Sequence, residues 1–336
     1  MKSTGTTIAH PPDPELVSER GVVSLLMELT KARLTLLVVL TTVVGFYLGS
    51  PTSVDLVLLT HALAGTALLA AGAAVLNQVL EQEFDARMRR TASRPIPAGR
   101  ITPTSALLVG SALSLLGLIW LLFRVNPLTA LLGVATWTSY VAVYTPLKRI
   151  TVLNTLVGAV PGALPPLMGW SAATDSISAP GWSLFGVLFF WQLPHFMAIA
   201  WLYREEYQRA GFRMLSGADP DGSRTAASAV RNTLALLGVS LFPFAFGLVG
   251  HWYLAGAVIL GAAFLAFAIQ FARTVSPVSA RRLFFASIVY LPLLLGLLVL
   301  DKQTRRLTSQ RSGDSTSLAS VSETAAQPLP LHGTID

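Results

Sequence analysis

Three oxygen-bearing side chains recur at four-residue intervals in the stretch Asn77-Gln-Val-Leu-Glu81-Gln-Glu-Phe-Asp85. On a helix that spacing stacks Asn77, Glu81 and Asp85 on one face. Two carboxylates and an amide oxygen form a hard, all-oxygen donor set of the kind Mg2+ prefers. Arg89, Arg90 and Arg94 follow closely. Acids that hold Mg2+ beside guanidiniums make a site for a phosphorylated ligand, because the metal bridges phosphate oxygens and the arginines neutralise the rest. The plainer reading of such a stretch is a solvated helix end followed by ordinary loop arginines. Asn77 favours function, because it ends a long apolar segment and an amide at a membrane boundary needs a partner.

A second polar cluster runs through Tyr203, Arg204, Glu205, Glu206, Tyr207, Arg209 and Arg213. Facing the first, it could help enclose a diphosphate, with Lys148 and Arg149 as a third wall. Its spacing fits a solvated amphipathic helix equally well. His195 follows Pro194 and lies eight residues before Tyr203, which on a helix places it ~12 Å inside the apolar segment. A histidine at that depth is a candidate for function, with a hydrogen-bonded packing role as the alternative.

These residues must be positioned by membrane helices. The chain has 336 residues, of which 53% are hydrophobic and 12% charged, and its mean hydropathy is +0.60. That composition points to a membrane rather than to a soluble domain. Cysteine is absent, which removes disulfides and thiolate metal sites. The net charge of +7 is no sign of nucleic-acid binding here, because the basic residues sit in loops between apolar segments. Nine segments approach the roughly 20 apolar residues that a span requires: 34–50, 55–80, 104–123, 126–145, 151–172, 181–203, 231–250, 252–273 and 282–300. The fifth holds Pro161, Pro165 and Pro166 and is expected to kink or break. Val22, Leu25, Leu26 and Leu29 suggest a helix lying in the interface before the first span. Every Lys and Arg before residue 300 except Arg124 falls in the N-terminal segment or in alternate loops on the same side. The positive-inside rule then predicts a multi-pass protein of the plasma (inner) membrane with a cytoplasmic N-terminus. No cleavable signal peptide is expected. The expected division is an N-terminal tail over 1–24, a membrane domain over 25–300 and a disordered C-terminal tail over 301–336. Lys302, Arg305, Arg306 and Arg311 follow the ninth span and would lie outside, against the same rule.

The stretch from Asn77 to Pro95, NQVLEQEFDARMRRTASRP, closely resembles the signature of the heme O synthases (protoheme IX farnesyltransferases), within the wider family of intramembrane aromatic prenyltransferases. The resemblance continues in Tyr144-Thr-Pro-Leu-Lys148-Arg149, Asn154, GAVPGALPPLMGW over 158–170, Trp191-Gln-Leu-Pro-His195-Phe196 and Tyr203 to Ser216. It spans roughly residues 25–300. It implies an all-α bundle of about nine transmembrane helices around a central cavity with a cytoplasmic polar cap. It also implies a reaction in which farnesyl diphosphate loses diphosphate and the farnesyl group joins a vinyl group of heme B with addition of water, giving heme O.

The implied roles follow from the matching positions. Asn77, Glu81 and Asp85 would hold Mg2+ and, with Lys148, carry the catalysis. Arg89, Arg90, Arg94, Lys148, Arg149, Arg204 and Arg213 would bind diphosphate. Tyr203, Glu205, Glu206 and Tyr207 form the second motif. His195 is a candidate axial ligand of heme B, and the glycine-rich fifth span would leave room for the flat ring. Membrane lipid and a downstream heme A synthase are the implied partners. Two departures stand out from the wider family. Glu81 replaces an aspartate, as in some heme O synthases. Tyr203 and Tyr207 stand where the wider family carries two aspartates, so a second Mg2+ is not expected there, and Glu205 and Glu206 would point to different sides of a helix. The competing readings are a prenyltransferase acting on a hydroxybenzoate or chlorin, a secondary transporter and an oxidase assembly factor. A transporter would show internal repeats and midplane charges, and neither is evident.

Overall fold

The computed structural model describes residues 19–303, so the two expected tails lie almost wholly outside the described residues. The described residues are nearly all helical. Their helices are α1 Glu19–Leu29, α2 Ala32–Gly49, α3 Leu56–Asp85, α4 Pro103–Arg124, α5 Pro127–Trp137, α6 Thr145–Leu147, α7 Asn154–Thr174, α8 Ala179–Leu202, α9 Arg204–Ala210, α10 Ser223–Val239, α11 Phe242–Ala245, α12 His251–Thr274 and α13 Pro277–Leu300. A π-helical segment, Thr138–Tyr144, joins α5 to α6 in one continuous rod.

Eight of these elements are long and apolar enough to cross a membrane: α2, α3, α4, the α5–α6 rod, α8, α10 continued through α11, α12 and α13. The fifth expected span, now α7, is less apolar than these and is not among the eight. It nevertheless forms an unbroken helix through all three of its prolines. Most of α7 is buried, and it packs on α2, α5 and α8. Its walls are therefore protein, which lets a membrane helix carry prolines and polar groups. Gln192 of α8 supports it by donating from Nε2 to the Ala159 carbonyl at 2.8 Å.

Glycine sets the closest helix approach. A Cβ added at Gly45 of α2 would overlap the Pro166 carbonyl of α7, and one at Gly169 would overlap the Thr42 carbonyl. Small residues bring backbones together in membranes in this way. Gly45→Ala is expected to lower stability by about 1–3 kcal/mol, the usual range for overpacking, seen as a lower unfolding temperature in detergent. Unchanged unfolding would mean that the two helices do not meet at this point.

Two further features frame the polar end. In α1, Leu29 is buried while Val22, Val23, Leu26 and Met27 stay exposed, a pattern suited to a helix in the interface. At about 1.5 Å per residue the 30-residue α3 is roughly 45 Å long, more than the ~30 Å apolar core of a bilayer. Its last turns therefore reach past the hydrocarbon and carry Asn77, Glu81 and Asp85. At the other end, Lys302 donates to the carbonyls of Tyr47 at 2.5 Å and Ser50 at 2.7 Å, pinning the end of α13 to the end of α2.

Candidate active site

The stripe on α3 is formed as the spacing predicts, and it is buried: Asn77, Glu81 and Asp85 are 0%, 3% and 2% exposed. Carboxylates so deeply buried require compensating charge. Each of the three oxygens meets a cation. Lys31 Nζ donates to Asn77 Oδ1 at 2.5 Å, Lys148 Nζ lies 2.7 Å from Glu81 Oε1 and Arg94 Nη1 lies 2.5 Å from Asp85 Oδ2. The Asn77 amide is oriented by a second bond, since Nδ2 donates to Thr145 Oγ1 at 3.0 Å while that hydroxyl donates to the Tyr140 carbonyl at 2.8 Å. Oδ1 is thereby turned toward Lys31.

Sequence reasoning counted Lys31 only as a charge before the first span. Its backbone lies in the left-handed region, φ 48° and ψ 53°, between α1 and α2. A non-glycine residue held there is strained and marks a place where the surroundings dictate the conformation. Gln78 of α3 anchors the segment, its Nε2 donating to the Leu29 carbonyl at 2.6 Å. Burial, reinforced by repulsion from Arg94 and Lys148 against the pull of Glu81 and Asp85, pushes the Lys31 ammonium down to about 7. Lys148 goes the other way. Burial opposes its charge too, but Glu81, Tyr144 and Tyr140 outweigh burial and hold it above the ordinary lysine value.

Lys148 also joins this polar cluster to an apolar cavity. The cavity has a volume of about 270 Å³ and is lined by α2, α3, the α5–α6 rod, α7 and α8. Tyr140, Tyr144 and Lys148 line it at four-residue spacing, a stripe parallel to the one on α3 that sequence reasoning did not single out. The π-helical segment carries both tyrosines, and such segments concentrate at functional sites. The two rings stack at 5.9 Å, and Lys148 Nζ sits 4.6 Å from the Tyr144 ring. On α7, Gly158 leaves the space that Tyr144 fills and Gly162 the space that Gln192 fills.

The other expected residues divide. Arg90 reaches across to the second motif, where its Nη2 donates to the Tyr207 hydroxyl at 3.1 Å. Arg89 is exposed beside it. Arg149 packs over Phe84 at 4.5 Å and donates to the Leu80 carbonyl, off the Asn77 stripe. Arg213 closes the loop structurally, its N–H donating to the Lys148 carbonyl at 2.7 Å and its guanidinium to the Ile150 carbonyl at 3.3 Å. Arg204 covers Trp201 and, with Glu205 and Glu206, lines a separate surface pocket.

His195 is not among the residues that line the apolar cavity, so this placement does not support the axial-ligand expectation. Its ring lies on the seam between α8 and α13, stacked on Trp191 and Phe284, with Nδ1 2.7 Å from Ser287 Oγ. The Ser287 hydroxyl donates to the Phe284 carbonyl, so Nδ1 of a neutral ring is the donor to Oγ. His195→Ala is expected to leave the Soret maximum of added heme unmoved and to cost about 1–3 kcal/mol of stability through the lost packing and hydrogen bond. A displaced Soret band would restore the imidazole to the iron.

The donor set fits a divalent cation. Three oxygens share one helix face, and buried Glu81 Oε1, although paired with Lys148, takes no hydrogen bond of proper geometry. Apolar helices thus surround a cavity that Lys148 joins to two buried acids and an amide, each paired with a cationic side chain. Residues 38–289 match the model of the UbiA prenyltransferase family, and the chain belongs to that family. It is 44% identical over 285 residues to the protoheme IX farnesyltransferase of Solibacter usitatus, covering 82% of this chain and 98% of that one. The protoheme IX farnesyltransferase of Opitutus terrae is 48% identical over 278 residues, covering 82% and 94%. Among solved structures, a digeranylgeranylglyceryl phosphate synthase superposes with a TM-score of 0.72 at 17% identity, covering 83% of this chain and 98% of that one. A UbiA homolog from Archaeoglobus fulgidus bound to GPP and Mg2+ superposes at 0.58 with 16% identity, covering 82% and 99%. At such identities these two structures establish the fold alone.

Proposed function

We propose that the chain transfers the farnesyl group of farnesyl diphosphate to a vinyl group of heme B, giving heme O and diphosphate. The observation that carries this reading is the junction at Lys148, where a buried, cation-ringed acidic stripe meets an apolar cavity suited to an isoprenoid. The protoheme IX farnesyltransferases that the chain resembles support the same acceptor. The polar end is the cytoplasmic face of the plasma membrane in this reading, supported by the placement of Lys and Arg.

Asn77, Glu81 and Asp85 would hold Mg2+, which supplies concentrated positive charge to the departing diphosphate when bound. Arg94 and Lys148, which pair with the carboxylates in the structure, would turn onto phosphate oxygens as the ligand binds, so that their charge is in position before the C1–O bond breaks. The arriving anion would favour the charged form of Lys31, which burial disfavours. Tyr140 and Tyr144 present aromatic faces beside Lys148, where they stabilise the allylic cation, and the surrounding apolar wall keeps water from it. At about 270 Å³ the cavity lies below the usual ~300–1,000 Å³ of pockets for drug-sized ligands. It accommodates the isoprenoid chain along α7, with the diphosphate end toward Lys148. Heme B meets the farnesyl C1 at the cavity mouth. Its vinyl carbon forms the new bond as the C1–O bond breaks, diphosphate keeps the electron pair, and water adds to the resulting cation with loss of a proton.

The test is to combine purified protein with heme B, farnesyl diphosphate and Mg2+ and analyse the heme by mass spectrometry. A heavier, more hydrophobic heme carrying one added farnesyl and one added hydroxyl group is expected, and none without Mg2+. Unaltered heme B, with farnesyl transferred instead to an added hydroxybenzoate, would replace heme with another acceptor.

A further inference from the structure

Arg90, five residues beyond the end of α3, reaches the second motif and meets tyrosines there. Arg90 Cζ lies 5.4 Å from the centre of the Tyr203 ring and 5.9 Å from that of Tyr207, and Nη2 donates to the Tyr207 hydroxyl at 3.1 Å. The clamp is tied rigidly to the site. Tyr207 packs edge-on against Phe212 at 6.0 Å, Phe212 packs on Phe84 of α3 at 5.4 Å, and Lys148 Nζ lies 5.9 Å from the same Phe212 ring. Glu205 and Glu206, the acids nearest in sequence, line a surface pocket with Tyr203, Arg204 and Arg209, and neither forms an ion pair with Arg90. Among the described residues no three His, Cys, Asp or Glu side chains come together as a metal site. The only acids on the stripe are Glu81 and Asp85, completed by the amide of Asn77, which is enough for one divalent ion when phosphate oxygens fill the remaining positions.

We propose that Arg90, clamped between Tyr203 and Tyr207, takes the place of a second divalent ion, so that the diphosphate is held by one Mg2+ and one guanidinium. This deepens the function proposed above and rests on it. The tyrosines are what make the arrangement work. Aspartates in their places would either ligate a metal or pair with Arg90 and cancel its charge. Phenol rings hold a guanidinium by its face and by one hydrogen bond, leaving its full positive charge for the ligand. With one Nη2 contact made, the fork still has donors to offer a phosphate. Arg90 is a binding residue in this scheme, and Tyr203 and Tyr207 are positioning residues.

The experiment counts metal ions. The purified full chain in detergent is dialysed to equilibrium with Mn2+ and farnesyl thiolodiphosphate, an analogue that ionises slowly, and bound Mn2+ is measured by electron paramagnetic resonance. The native chain is expected to retain one Mn2+. Arg90→Ala is expected to weaken analogue binding by about tenfold or more, as loss of a charge-assisted contact does. Tyr207→Phe, which keeps the ring and loses only the hydroxyl, is expected to weaken it by much less. The triple variant Arg90→Ala, Tyr203→Asp, Tyr207→Asp is expected to retain a second Mn2+. Two Mn2+ in the native chain, or unchanged analogue affinity in Arg90→Ala, would overturn the proposal. Failure of the native chain to bind the analogue at all would overturn the diphosphate site itself, a distinguishable result.

Discussion

Asp85→Asn is expected to lower farnesyl transfer by about 10²–10³-fold in kcat/KM, the usual cost of removing one preorganised electrostatic contact from a developing charge. The exchange is nearly isosteric. The asparagine oxygen can still accept from Arg94, whose guanidinium lies 2.5 Å from Asp85 Oδ2, so the fold is retained and the protein still inserts. What disappears is the negative charge that would hold Mg2+. The loss therefore falls on chemistry, and raising Mg2+ recovers only part of it. Initial rates at saturating heme B with varied farnesyl diphosphate and Mg2+ measure the effect. Activity within a few-fold of native would remove Asp85 from the metal site.

The second large effect is expected at Lys148. Its ammonium is the hinge between the acidic stripe and the apolar cavity, 2.7 Å from Glu81 Oε1 and 4.6 Å from the Tyr144 ring. Lys148→Met fills similar space without charge and is expected to cost about 10²–10³-fold in kcat/KM. Part of that loss arises because buried Glu81 is left without its partner and becomes harder to ionise. A double-mutant cycle with Glu81→Gln separates the contributions. If both residues serve one diphosphate, the double variant loses far less than the two single losses combined would give, because residues acting as a unit are strongly non-additive. Additive losses would mean that the two residues act independently and do not serve one diphosphate.

Legibility in the sequence follows how local each feature is. The α3 stripe could be read because i, i+4, i+8 spacing fixes a helix face without tertiary information. The bundle could be read because span length is set by the membrane. Lys31 could not, since its reach to Asn77 depends on a left-handed backbone at the junction of two helices, a conformation that lysine rarely adopts. Arg149, Arg204 and Arg213 had the right charge but not the right direction. Packing against Phe84, Trp201 and the Ile150 carbonyl decides where they point. His195 was drawn toward the site by its depth and by the motif around it, neither of which gives its azimuth on α8, where its ring meets Ser287 of α13. The Tyr140–Tyr144–Lys148 stripe has the same four-residue spacing as the acids and was open to the same reading; its aromatic members simply carry no charge to attract notice. The α7 helix was found, but that it stays unbroken through three prolines depends on the neighbouring helices that bury it.

The most direct measurement is a structure of the full chain with farnesyl thiolodiphosphate and Mn2+, with the metal located by its anomalous scattering. The expected result is Mn2+ against Asn77, Glu81 and Asp85, Arg94 and Lys148 turned from the carboxylates onto phosphate oxygens, and the isoprenoid chain running past Tyr144 into the cavity. Mn2+ in the pocket of Glu205 and Glu206, with Lys148 still on Glu81 and the cavity empty of the chain, would contradict it.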